Sequence, residues 1–114
     1  MEAVFIELPA FERHRHRYLD DQGFALLQQE LLRDPTAGNV IEGAGGLRKL
    51  RFRDARRGKG KRGGLRVIYY WWDAGAQFWL FTLYGKDEMD DLSPADCRAL
   101  GAMIKAEVAA RQQA

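Results

Sequence analysis

Four cations and one hydroxyl stand in this chain at spacings that suit phosphate chemistry. Lys49 and Arg51 alternate along one run, Arg66 opens the next apolar run, and Lys86 follows Tyr84 just past a third. Residues two apart on a strand face the same way, so Lys49 and Arg51 share a face, and Arg66 on a neighbouring strand can converge with them on one phosphate. Cleaving RNA requires that a 2′-hydroxyl lose its proton, that charge growing on the phosphoryl oxygens be stabilised, and that the leaving 5′-oxygen be protonated. An arginine fork suits the second task because it donates two hydrogen bonds at once, while a lysine crowded by other cations can exchange protons. Tyr84 is the nearest hydroxyl, and an aromatic residue at a strand end is its equally ordinary structural role.

These residues belong to a strongly basic window. Between Gly45 and Arg66 stand ten Lys or Arg residues against one acid, Asp54, so the window carries +9 and the remainder −7 within a net charge of +2. Such segregation is the footprint of a protein that meets a polyanion with one face, and nucleic acid is the expected polyanion. Arg48, Lys59, Lys61 and Arg62 would extend the grip, the glycines among them letting the backbone approach phosphates closely. A solvated basic loop is the competing reading.

Other chemistries find less support. His14 and His16 are two apart on an expected helix, hence on different faces and badly placed to share a metal. No Cys/His cluster suggests zinc, and the glycines spell neither a dinucleotide fingerprint nor a Gly-Lys-Ser/Thr phosphate loop. Neither metal nor cofactor is expected.

The elements that must position the cations follow from pattern. Glu2–Leu8 is a short apolar run ended by Pro9 and reads as a strand. A first helix begins at Ala10, with Phe11 and Tyr18 at helical spacing. Asp20 and Asp21 can cap a second, in which Phe24, Leu27 and Leu31 recur, and Pro35 ends it. The segment Thr36–Gly46, with four glycines, is expected to be a loop. Three strands follow: Leu47–Phe52 with one cationic face, Leu65–Trp72 apolar on both faces as a central strand is, and Phe78–Tyr84 joined to it by a turn at Asp73–Ala76. Ser93, Pro94 and Asp96 mark the start of a closing helix with Cys97, Leu100, Ile104 and Val108 along its apolar stripe. The expectation is a single α+β domain over residues 1–114, ordered β-α-α-β-β-β-α, with a mostly antiparallel sheet. A 46% hydrophobic content fits a folded chain. The lone Cys97, the lack of a leader-like start and the lack of any apolar run near about 20 residues point to the cytoplasm and away from membranes.

The runs VIEGAGGLRKLRF, GKGKRGGLRVIYYWW and FWLFTLYGKDEMDDLSPAD, with FIELPAFERH and YLDDQGFALLQQELLRDPTAGNVI before them, resemble the RelE/HigB superfamily of bacterial type II toxins, in its HigB-2-like branch. The resemblance implies a RelE-like microbial RNase-type fold and a toxin that cleaves messenger RNA on the ribosome, held inactive by a cognate antitoxin, often a HigA-like helix-turn-helix protein. Carried over by motif, its basic positions fall on Lys49, Arg51, Arg66 and Lys86. Asp87 stands where the pattern has a further arginine, and Leu92 and Ser93 where it has a tyrosine, so either Tyr84 is the substitute hydroxyl or positioning of the RNA by the ribosome supplies more of the rate than side-chain acid-base chemistry does. A non-catalytic nucleic-acid-binding module and a ParE-like gyrase inhibitor are the alternatives.

Overall fold

The computed structural model describes residues 2–54, 58, 60, 64–86, 88 and 92–112. Its elements are β1 (Val4–Glu7), α1 (Pro9–Tyr18), α2 (Asp21–Arg33), β2 (Asn39–Val40), β3 (Arg48–Phe52), β4 (Leu65–Trp72), β5 (Gln77–Gly85) and α3 (Pro94–Gln112), with a 3-10 turn at Asp73–Gly75 between β4 and β5. They form an α+β fold in which one five-stranded sheet is ordered β1-β5-β4-β3-β2. Among the described residues, only the β1–β5 pair is parallel. Among the described residues, no helix is long and apolar enough to cross a membrane.

Local chemistry sets the boundaries. Pro9 occupies the first turn of α1, where its missing N–H costs nothing. The Asp20 carboxylate accepts from the Gly23 N–H at 2.7 Å and caps α2, which ends at Asp34 because the residue before a proline is pushed to extended backbone. At the start of α3, Ser93 Oγ accepts from the Asp96 N–H at 3.0 Å while Asp96 accepts from the Ser93 N–H at 3.2 Å, a reciprocal capping box.

The sheet separates two cores. Leu50, Phe52, Leu65, Val67, Tyr69, Phe78, Leu80 and Leu83 pack with Phe11, Tyr18, Leu27 and Leu31 of α1 and α2. Leu47, Ile68, Trp79, Phe81 and Tyr84 pack with Cys97 and Ile104 of α3. The central position of β4, covered on both sides, explains why its apolar run shows no alternation.

Two features depart from the sequence-based order. A short strand, β2, lies inside the segment expected to be a loop; it pairs with β3 as Asn39↔Lys49 and Val40↔Arg48. The second is a bulge between β4 and β5. Tyr69 pairs with Leu80 but Ile68 with Thr82, which leaves Phe81 as the extra residue. Strict alternation from Phe78 and Leu80 would point Tyr84 into the α1–α2 core; the bulge reverses the parity and turns Tyr84 to the α3 side.

Candidate active site

The residues that carry the site lie in two adjacent rows across the sheet. One row runs Asn39, Lys49, Ile68 and Thr82; the next runs Arg51, Arg66 and Tyr84. Residues directly opposite in an antiparallel pair share a face, so all seven are on the α3 side of the sheet. Strand β3 can present two cations there because its other face, Leu50 and Phe52, supplies the apolar anchor.

Above these rows opens a cleft of about 450 Å³, lined by Lys49, Arg51 and Tyr84 on the sheet, by Asn39 through Glu42, and by Leu92, Pro94 and Cys97 at the start of α3. Its volume lies in the range of roughly 300–1,000 Å³ typical of small-ligand sites. The amino end of α3 contributes the positive end of its dipole to this cleft.

Exposure divides the cations by role. Arg51 is exposed and Lys49 half-buried, so both can reach a ligand in the cleft. Arg66 is only 5% exposed; it lies between Arg51 and Tyr84 in the sheet, with Nη1 donating to the Leu65 carbonyl at 3.2 Å. A guanidinium so shielded from water acts on its surroundings through a lower dielectric than a surface arginine does. Tyr84, at 6% exposure, closes the same row.

The remaining predicted residues fall elsewhere. Lys86 is exposed just beyond β5, its backbone N–H donating to the Gly64 carbonyl at 3.0 Å. Two residues on, Glu88 accepts from the Tyr18 hydroxyl at 2.8 Å and pairs with Arg17 at 3.3 Å, tying the exit of β5 to α1. That bond and burial raise the Tyr18 pKa above its ordinary value, burial being the larger cause. Arg48 points to the opposite face, where Nη1 donates to the Thr36 carbonyl at 2.9 Å and the Gly38 carbonyl at 3.5 Å, and it does not share the cleft. Lys59, Lys61, Arg62 and Asp87 lie outside the described residues.

Sequence reasoning missed Asn39, Ile41, Glu42 and the contribution of Leu92, Pro94 and Cys97. The last three sit at a recognisable helix start, but nothing in a glycine-rich segment announces that Asn39 pairs with Lys49.

No family model matches the chain. Among solved structures, it is similar to the E. coli toxin RelE, a double arginine-to-alanine mutant in the free state, with a TM-score of 0.53 and 16% identity over 79% of this chain and 90% of that one. The fold is RelE-like. At this identity the likeness concerns architecture, and the RelE-like sheet is what sets the cationic rows of β3 and β4 beneath the amino end of α3.

Proposed function

We propose that this chain is the toxin of a type II toxin–antitoxin system and acts in the cytoplasm as an mRNA endonuclease dependent on the ribosome. The observation that supports this reading above all is the Arg51–Arg66–Tyr84 row beside Lys49, of which Lys49, Arg51 and Tyr84 line a cleft on a RelE-like sheet and Arg66 lies buried between Arg51 and Tyr84.

In this reading, Lys49 and Arg51 hold the scissile phosphate from the cleft wall. Arg66 stabilises the charge on its non-bridging oxygens from beneath, where shielding from water strengthens the interaction. The 2′-oxygen attacks phosphorus as its proton leaves, the bond to the 5′-oxygen breaks, and that oxygen takes up a proton. The products are a 2′,3′-cyclic phosphate and a 5′-hydroxyl. Tyr84, which lines the cleft, and Lys86, exposed two residues beyond it and outside the lining, are the residues proposed for proton transfer, and placement of the message by the ribosome supplies alignment. The cognate antitoxin, of a HigA-like helix-turn-helix kind, would silence the protein by covering this basic face.

The test is purified protein in a cell-free translation reaction, with the message followed by primer extension. Cuts inside the reading frame that disappear when initiation is blocked support the reading. A message that stays whole while translation stops would favour a non-catalytic binder.

A further inference from the structure

We propose that the wall of the cleft formed by Asn39 to Glu42 is a base-reading subsite in which Asn39, seconded by Glu42, selects the nucleobase next to the cut; this rests on the endonuclease reading above. The lining of the cleft mixes two chemistries: Lys49 and Arg51 supply cations, whereas Asn39, Ile41, Glu42, Leu92 and Pro94 supply an amide, a carboxylate and apolar surface. A phosphate is drawn to Lys49 and Arg51 and repelled by the Glu42 carboxylate, so a bound strand runs its backbone along the cations and turns a base toward Asn39. Ile41, Leu92 and Pro94 give that base an apolar wall, which strengthens hydrogen bonds to its edge by thinning the water around them.

Register places the amide next to the phosphate site. Asn39 is directly opposite Lys49, which puts their Cβ atoms roughly 4.5–5.5 Å apart on the same face. A base read by Asn39 therefore belongs to a nucleotide adjoining the phosphate held by Lys49. Asn39 is also held in place from both sides. Before it, Gly38 adopts φ +84° hard against the Lys49 carbonyl, where any Cβ would collide; after it, the Ile41 N–H donates to the Leu47 carbonyl at 2.8 Å. A two-residue edge strand fastened this closely is a rigid mount for a reading side chain.

The chemistry specifies the base. The Asn39 amide offers one acceptor and a pair of donors, and it matches a base edge that sets an amino group beside a ring nitrogen. Glu42, an acceptor, reinforces the choice of an amino-bearing edge and disfavours a carbonyl there. Adenine, cytosine and the amino edge of guanine satisfy both groups; uracil, which has no amino group, places its carbonyl oxygens against the carboxylate.

The experiment maps cleavage sites on a message library with randomised codons, translated in a cell-free reaction with wild type, Asn39→Ala or Glu42→Gln. Wild type is expected to favour an amino-bearing base over uracil by about tenfold at one position beside the cut, and Asn39→Ala to reduce that to within about twofold by slowing cuts beside the amino-bearing bases about fivefold, the scale of one bidentate base contact. Glu42→Gln readmits uracil at the same position. An Asn39→Ala protein that keeps the wild-type preference, or that loses all cutting while folded, overturns the assignment. So does a wild type that cuts with no preference at that position. Messages left whole by wild type would overturn the endonuclease reading and the subsite with it.

Discussion

Replacing Arg51 by glutamine should make the protein more stable and less active at once. Arg51 and Arg66 are directly opposite one another on β3 and β4, an arrangement in which like charges destabilise a sheet by roughly 0.2–1 kcal/mol. Arg51 is exposed, so Arg51→Gln removes charge with little loss of packing. At about 4 °C per kcal/mol for a domain of this size, the melting temperature should rise by about 1–4 °C. The gain should shrink in high salt, which screens an exposed charge. Activity should move the other way. One charge-assisted hydrogen bond to a phosphate contributes about 1.5–3 kcal/mol, so its loss should slow message cleavage about 10- to 150-fold. Thermal unfolding at two salt concentrations and cleavage in a cell-free translation reaction measure both quantities on one preparation. A melting temperature that falls by several degrees would show that Arg51 holds the sheet together, and unchanged cleavage would remove it from the site; either result refutes the reasoning.

Other expectations concern the elements around the cleft. Ser93→Ala deletes the acceptor for the Asp96 N–H and should cost about 1 kcal/mol in denaturant unfolding. Gly38→Ala would drive a Cβ into the Lys49 carbonyl oxygen at φ +84°, so a loss of more than about 1 kcal/mol and weakened cleavage are expected as β2 shifts. The Tyr69 hydroxyl donates to the Ala37 carbonyl at 2.6 Å and the Pro35 carbonyl at 3.1 Å, and Tyr69→Phe should cost about 0.5–1.5 kcal/mol at neutral pH. Burial, the largest cause, raises the Tyr69 pKa, so the folded state holds this proton more tightly than the unfolded one. That contribution is fully present below the ordinary tyrosine value of about 10 and is lost as pH rises above it. Unfolding followed from pH 8 to 11 should show a shallower alkaline decline in Tyr69→Phe than in wild type.

Much of the fold was legible because proline, capping residues and periodicity act locally. Pro35 ends α2, Ser93 with Asp96 starts α3, and the doubly apolar β4 is the central strand, each as its residues imply. The cationic face of β3 followed from alternation alone, with Leu50 and Phe52 opposite it. What escaped was set by pairing at a distance. Asn39–Val40 become a strand only because Gly38 lets the chain lie against Lys49, and two residues carry no periodicity to read. The bulge at Phe81 is equally silent, since FWLFTLY is apolar on both faces and offers no alternation to break; yet that extra residue is what brings Tyr84 into line with Arg66. Arg48 shows the converse limit. Its charge matches its neighbours, but its parity sends it to the Thr36 and Gly38 carbonyls instead of the cleft.

The central claim is tested most directly by primer extension on cellular messages after brief induction of wild type and, in parallel, of a folded Arg66→Ala variant. The account predicts cuts within translated frames that appear with wild type, vanish when initiation is blocked, and are lost with Arg66→Ala. Messages that remain whole in cells whose growth has stopped, or cuts undiminished in Arg66→Ala, would contradict it.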